Sequence, residues 1–561
     1  MSLIGQASRL REESRRQERH LIDGPRTGPV AIAVGLFLAA LALRLYRLDG
    51  RSLWLDEVLT SYSAHLGLRD VIASTGRNDQ VPLMNLVTWA VAHFWTGPFA
   101  LRLPAALFGA AAVAAMFWVG REIAGTRVGV YAGLLACLMS FPVWYSQEAR
   151  PYSALILATT LQLGFAYRAA TTRAWPAWTG LGLSTAAAVY TQYLALLTTA
   201  AAIIFVLAAI ALRRLAPGRV GLDRGSTRRD VVGLAATLTA VFLIYVPWLP
   251  NLLLFLGQGG PEHLSSLGIS HRPTLSDVER LLTNLGFTPL LQLLLAGGTG
   301  WTLVYLAKRR AMTALLLGLW LTVPLAALGY SMRGALPTIW ARYLAVIFPA
   351  GVLLAAFGAE ALTRLLETGI MRARTRTFGW VPQGLVALVL VAVTVAGLPS
   401  LYAAHKDDWK DATRIALHSR DGTAIVAVGV QSSWVVQNMG YYFALEKTSV
   451  PLLDVTQVDA PTVEDLRGRR GTVWLGLVNG DDPSGLRAAG YIAVWPRYSE
   501  TSAIDNRDVV IERLVGVTLV RAPAGQGDTV TQLATLLRWA SQFDPRAAEP
   551  AAIAAMVASS P

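Results

Sequence analysis

Residues 174–212 read AWPAWTGLGLSTAAAVYTQYLALLTTAAAIIFVLAAIAL, without one charged side chain. The residues that follow carry Arg213, Arg214, Arg219, Arg224, Arg228 and Arg229. A helix that crosses a bilayer needs about 20 mostly apolar residues, so this stretch holds two crossings. Arginine clusters between apolar runs mark the cytoplasmic side. The pair is therefore a membrane hairpin that returns the chain to the cytoplasm.

Stretches of the same kind lie at 29–48, 80–101, 103–120, 128–147, 151–167, 231–256, 286–307, 311–332, 341–362 and 380–402. Lys308-Arg309-Arg310 and Arg364–Arg376 are further cytoplasmic markers. Working from them, 121–127 and 168–176 face inside, while 145–152, 257–285 and 331–340 face outside. The Arg-rich arm 1–28 is placed inside and the loop 49–80 outside. The apolar run Val30–Leu43 continues into Arg44 and is expected to be retained as the first span. These placements need an odd number of crossings, so one segment between 81 and 147 is expected to be a half-helix or a broken pair. Eleven spans fit best, with thirteen as the alternative.

Composition agrees with this reading. Of 561 residues 54% are hydrophobic and 15% charged, and the mean hydropathy is +0.45. Soluble domains carry about 25% charged residues, which excludes an ordinary cytosolic enzyme. The net charge of +13 sits mostly between apolar runs and reports orientation, so no nucleic-acid partner is expected. The single cysteine, Cys137, excludes an internal disulfide and makes a thiolate metal site implausible.

From Asp407 the pattern changes. Short β-rich runs (423–430, 472–478, 491–497, 508–522) alternate with helix-compatible runs (408–418, 431–445, 530–542), as in a small α/β domain. The expected organisation is a cytoplasmic arm 1–28, a membrane domain 29–403 with outer loop 49–80, an extracytoplasmic α/β domain 404–545, and a frayed Ala/Pro-rich tail 546–561. The protein is thus read as a multi-pass protein of the cell membrane.

Five polar clusters fall on the outer side. Leu48-Asp49-Gly50-Arg51-Ser52-Leu53-Trp54-Leu55-Asp56-Glu57 follows the first span. Its plainest reading is solvated acids at a helix N-terminus, where they favour the dipole. Ionisable residues at a membrane edge are, however, functional candidates by default. Tyr145-Ser146-Gln147-Glu148-Ala149-Arg150-Pro151-Tyr152 has Pro151 to break the helix, so its polar groups should line a cavity rather than meet lipid. Asn78-Asp79-Gln80, Tyr190-Thr191-Gln192-Tyr193 and Arg342-Tyr343 complete the set. Each alone reads more simply as a polar cap; five on one side point to a site. Arg44 and Arg47 read as interfacial anchors of the first span. Trp409 and Trp434 read as core aromatics before sugar platforms.

Trp-Leu-Asp-Glu after the first span, Gln-Glu-Ala-Arg-Pro-Tyr at 147–152, Arg342-Tyr343 before a late span and Asp408-Trp409-Lys410-Asp411-Ala412 after the last one together resemble the bacterial GT-C glycosyltransferases. The likeness is to the branch related to protein O-mannosyltransferases and the lipid A aminoarabinose transferase, over roughly 29–420. The resemblance implies a polytopic α-helical membrane fold of GT-C type. It implies transfer of a sugar from a polyprenyl-phosphate carrier to a glycan, lipid or protein acceptor, with membrane lipid around it. Mannose is the first expectation for the sugar, with arabinose and aminoarabinose also compatible. Asp56 would be the catalytic carboxylate, with Glu57 beside it in the site. The chain departs from many relatives at Asp79-Gln80-Val81-Pro82-Leu83, where they carry a His or Lys.

The chemistry is consistent. Inverting transfer needs one base at the acceptor hydroxyl. The leaving group is already a phosphate diester, so positive charge replaces the general acid of a glycosidase. Arg150, Arg342 and Arg51 are the phosphate-binding candidates, because the guanidinium fork matches phosphate oxygens. Glu148, Tyr152, Asp79, Gln80, Tyr190, Gln192, Tyr193 and Tyr343 are the substrate-binding candidates. No His pair at ligand spacing supports a metal, and none is assigned, although Asp56, Glu57 and Glu148 offer oxygens that a divalent cation accepts. The competing classes are a lipid or sugar transporter, which would show repeat symmetry between halves, and a non-enzymatic envelope-assembly protein.

Overall fold

A computed structural model of the chain describes residues 27–78, 80–215, 227–257, 275–306, 311–331, 341–372, 381–418, 422–478, 495–496, 500–503, 509–514, 516–523, 525 and 527–560. The arm 1–26 and Asp79 lie outside them. Two compact units are present: one from 27–46, 67–95 and 100–398, the other from 47–66, 96–99 and 399–560. The stretch 49–80 is thus shared, its first part in the second unit and its last in the first.

The first unit is helical. Among the described residues seven helices are long and apolar enough to cross a membrane: Gly28–Leu45, Pro98–Ala124, Ala195–Leu215, Thr227–Gly257, Ala311–Gly329, Phe348–Thr368 and Val381–Ala403. An eighth arises if Val278–Asn284 and Pro289–Val304, bent by 106°, count as one span. Two apolar stretches between 81 and 147 are cut short. Pro82–Ala92 has 11 residues, about 16 Å of rise, half the ~30 Å of a bilayer core. Thr126–Leu138 stops at Met139, which is extended (φ −60, ψ 139), before the six-residue helix Ser140–Tyr145. Tyr152–Thr172 and Trp175–Val189 are helical too, but buried Ser153, Thr159, Thr160, Gln162, Ser184 and Thr185 dilute their apolar character.

Apart from Ser153, those polar groups are partnered inside the bundle, as a low-dielectric interior requires. Gln162 donates to Thr185 and Thr199 at 3.0 Å and accepts from Thr198 at 2.8 Å. Arg213 pairs with Asp230, both buried. Arg127 bridges Glu367 at 3.0 Å and Glu360 at 3.5 Å, which joins Thr126–Leu138 to Phe348–Arg372. Helix Pro289–Trp301 approaches Phe348–Arg372 through facing glycines. A Cβ at Gly298 would stand 1.7 Å from the Leu354 carbonyl oxygen, and one at Gly358 2.0 Å from that of Leu294. Small residues at such crossings let backbones touch.

The second unit holds a six-stranded mixed sheet. Its strands are β1 (Gly422–Ala427), β2 (Leu452–Asp454), β3 (Thr472–Val478), β4 (Glu500–Ala503), β5 (Val510–Leu514) and β6 (Val517–Arg521). Their spatial order is β2-β1-β3-β6-β5-β4. The β1–β2 and β1–β3 pairs are parallel, the rest antiparallel. Parallel neighbours need crossover helices, here Ser432–Glu446 and Ala460–Arg467. Strand β3 is buried over six of its seven residues, as a central strand covered on both faces should be. The expectation of a frayed tail is corrected. Pro545–Ala547 is a 3₁₀ turn and Ala548–Ser559 a helix. Its alanines favour helix, and Ala554 and Ala547 join the core with Leu533, Leu536 and Leu537. Arg467 closes its end through the Ser560 carbonyl at 3.1 Å.

Candidate active site

In the second unit the Trp-Leu-Asp-Glu loop starts the helix Leu55–Ala64, with Trp54 as N-cap and Asp56 and Glu57 in the first turn. Glu57 is fully buried and Asp56 half-buried. The Asp56 carbonyl accepts from Thr60 Oγ1 at 2.7 Å, closing the first turn.

The loop is fixed by residues far along the chain. The Leu53 amide donates to the Tyr442 hydroxyl at 2.7 Å, and that hydroxyl lies 3.2 Å from Ser52 Oγ. The Lys410 amide donates to the same Ser52 Oγ at 3.2 Å. The Lys406 ammonium sits 3.7 Å from the centre of the Trp54 ring, a cation–π contact. The two motifs read separately in the sequence, 54–57 and 408–412, are therefore neighbours. Asp407, between Lys406 and Asp408, has its carboxyl pushed up from the usual range to about 6. Burial is the main cause and Asp56 adds to it, against the Lys406 charge. Asp408 is 3% exposed and Trp409 1%, so Trp409 is core. Arg51 and Trp434 are half-buried.

In the first unit the turn between Ser140–Tyr145 and Tyr152–Thr172 carries the second cluster. Gln147 and Glu148 are buried, Arg150 is half-buried, and Pro151 is the N-cap of the following helix. Gln147 Nε2 donates to the carbonyls of Arg44 at 3.0 Å and Tyr46 at 2.8 Å, tying this turn to the end of the first span. The Tyr145 ring meets Tyr152 edge-on at 4.8 Å. Glu148, Tyr152, Arg342 and Tyr343 all act electrostatically on Tyr145, so the structure gathers two of the sequence clusters. Arg342 lies 5.6 Å from the Tyr343 ring centre.

A third grouping forms in the first unit. The Leu83 amide donates to the Tyr190 carbonyl at 3.0 Å, Tyr193 reaches the Gln80 carbonyl at 3.4 Å, and Asn85 donates to Gln80 Oε1 at 3.2 Å. Gln192 Oε1 is buried with no hydrogen-bond partner among the described residues.

Arg44 is a correction. Its side chain is fully buried rather than an anchor at the bilayer surface. Nε donates to Ser146 Oγ at 3.1 Å, while the terminal nitrogens reach the carbonyls of Ala40, Ala136 and Cys137 at 3.2–3.4 Å. Ala136 and Cys137 are among the last residues of Thr126–Leu138, whose carbonyls lack helical partners. Gly109 makes room for this arrangement: a Cβ there would stand 1.9 Å from Ser146 Oγ and 2.8 Å from Arg44 Nε. Sequence reading missed Lys406, Tyr442 and Ser146 in these roles. Ser146 lay inside the 145–152 cluster and Lys406 beside the 408–412 motif, whereas Tyr442 gave no such signal. Among the described residues no three His, Cys, Asp or Glu side chains converge to hold a metal.

Residues 79–218 match the family described as dolichyl-phosphate-mannose-protein mannosyltransferase. Among curated proteins none matches the chain in sequence. The archaeal oligosaccharyltransferase AglB from Archaeoglobus fulgidus, solved with an inhibitory peptide and a dolichol-phosphate, is 13% identical with a TM-score of 0.52, over 80% of this chain and 69% of that one. ArnT from Cupriavidus metallidurans, solved with undecaprenyl phosphate, is 13% identical with a TM-score of 0.51, over 89% of this chain and 99% of that one. The chain has the fold of the GT-C glycosyltransferase superfamily.

Proposed function

We propose that this protein is a membrane glycosyltransferase that moves a sugar from a polyprenyl-phosphate carrier to an acceptor hydroxyl outside the membrane, with inversion. Mannose is the sugar proposed. The observation that carries the reading is the construction of the Asp-Glu loop. Tyr442, Ser52 and the Lys410 amide hold its backbone, Lys406 covers Trp54, and Asp56 is left half-exposed on the first turn of a helix. A general base needs that combination of fixed position and access. Asp56 takes the proton of the acceptor hydroxyl as oxygen attacks the anomeric carbon; the bond to the carrier phosphate breaks, and the phosphate leaves as an anion. Arg150 and Arg342, with Arg51, stabilise that growing charge. Glu148, Tyr152 and Tyr343 around Tyr145, together with Asp79, Gln80, Tyr190, Gln192 and Tyr193, hold the substrates, and Glu57 supports Asp56 from a buried position.

The experiment is sugar transfer from synthetic polyprenyl-phosphomannose by purified protein in detergent, with cell-envelope extract as acceptor. A folded Asp56→Asn variant should lose about 10²–10⁴-fold in rate. Transfer that survives in Asp56→Asn removes the assigned base, and donor left intact by the wild type sends the search to other carrier sugars or to the transporter class.

A further inference from the structure

We propose that a pocket of the second unit, formed beside the Asp-Glu loop, is a subsite for one neutral sugar ring of the acceptor; this rests on the transferase reading above. The pocket has a volume of about 160 Å³, and Asp49, Lys410, Thr413, Arg414, Tyr442 and Glu446 line it. At ~30 Å³ per water it has room for about five waters, the bulk of a single ring and not of a chain.

Thr413 points to a ligand independently of the cavity. It is 1% exposed, and its Oγ1 has no hydrogen-bond partner among the described residues. Several helical threonines here satisfy themselves on the carbonyl four residues back, Thr60 on Asp56, Thr75 on Val71 and Thr88 on Met84, although Thr313 in the first unit does not. Thr413, inside the helix Trp409–His418, does not. A buried hydroxyl left unpaired is costly, and Thr413 is one of the residues that line the pocket, so a ligand hydroxyl there can satisfy it.

The charges select the ligand. Two carboxylates (Asp49, Glu446) and two cations (Lys410, Arg414) share the lining, and Arg414 is already 3.5 Å from Asp411. A phosphate would meet both carboxylates, and an amine both cations. A ring with several hydroxyls donates to the former and accepts from the latter. The Tyr442 hydroxyl is engaged by Leu53 and Ser52, so its ring and Leu445 supply an apolar wall for the C–H face of a sugar. Because that hydroxyl also holds the backbone three residues before Asp56, the pocket lies on the loop that carries the base. An acceptor ring meets this description; a donor bearing phosphate does not.

The test uses the full chain in detergent with methyl α-D-mannopyranoside and methyl α-D-arabinofuranoside as probes and mannose 6-phosphate as the anionic comparison, read by saturation-transfer NMR. At least one neutral glycoside should bind wild type and Asp56→Asn alike, and fivefold or more weakly to Thr413→Val and Glu446→Gln. Thr413→Val should keep or raise the melting temperature, since it removes a hydroxyl that has no partner. Neutral glycosides that fail to bind wild type, binding unchanged in both pocket variants, or preference for the phosphorylated sugar would each overturn the subsite. In the transfer assay the pocket variants should raise the acceptor KM fivefold or more and leave the donor KM in place. Transfer with an unchanged acceptor KM defeats the subsite and leaves the transferase standing. Glycoside binding that the variants weaken, without any transfer, defeats the transferase reading and leaves the subsite.

Discussion

The Tyr442 hydroxyl accepts a hydrogen bond from the Leu53 amide at 2.7 Å, so a phenol almost 400 positions downstream sets the backbone three residues before Asp56. Leu53 is fully buried, and water has no ready access to its amide. Tyr442→Phe removes the acceptor and leaves that amide unpaired, at a cost of about 1–3 kcal/mol. The expected result is a melting temperature lower by several degrees. Turnover should fall about tenfold with little change in donor KM, because the loop loses position and not charge. Steady-state kinetics beside a thermal melt check both.

Asp407 gives a pH signature. Its carboxyl titrates near 6 in the folded protein against 3.8 for the ordinary group, so the folded state binds this proton more tightly. The proton favours the fold at low pH, and that advantage is lost as pH rises from about 4 through 6. Asp407→Asn keeps the size and shape of the side chain and never ionises. It should melt a few degrees above wild type at pH 7.5, with the gap closing near pH 4. A gap that widens toward low pH would show that the carboxylate form is the stabilising one.

Long apolar helices were legible because apolar length is a local property of the chain. Yet seven or eight among the described residues are long and apolar enough to cross a membrane, where eleven were expected. Legible too were the candidate clusters at 54–57, 147–152 and 342–343, which are short and polar between apolar runs. What was not legible depends on distant packing. Nothing in the spacing of Leu48–Glu57 tells that Tyr442 and Lys406 hold it, since those contacts span more than 350 positions. Arg44 misled for the same reason: an arginine at the end of an apolar run reads as an anchor until the broken helix end at Ala136 and Cys137 is seen beside it. The tail 546–561 misled through composition, because alanine serves a packed helix as well as a loose end.

Arg44 separates the two readings of that position by substitution. An arginine at the bilayer surface tolerates lysine, whose long stem also snorkels. The buried guanidinium instead spans Ser146 and the carbonyls of Ala40, Ala136 and Cys137, which a single ammonium cannot do. Arg44→Lys should therefore lower the melting temperature by several degrees. Arg44→Leu should lower the yield of folded protein further, as three carbonyls and a hydroxyl lose a charged donor worth about 1.5–3 kcal/mol per bond. Size-exclusion profiles and melts of both variants in one detergent make the comparison.

The facing glycines of Pro289–Trp301 and Phe348–Arg372 predict a contrast within one helix. A Cβ at Gly298 or Gly358 meets a backbone carbonyl at 1.7 or 2.0 Å, whereas Gly297 and Gly300 have nothing within 4 Å. Backbone cannot rotate aside as a side chain does, so Gly298→Ala must push the helices apart, at about 1–3 kcal/mol. Gly297→Ala and Gly300→Ala should be neutral or stabilising by up to ~1 kcal/mol, since alanine is the better helix former. The double variant Gly298→Ala, Gly358→Ala should cost less than the sum of its parts, because a crossing already widened by one methyl has room for the second. Thermal melts of the five proteins beside wild type test this. Equal losses at Gly297 and Gly298 would mean that helix flexibility, and not close approach, is what these glycines supply.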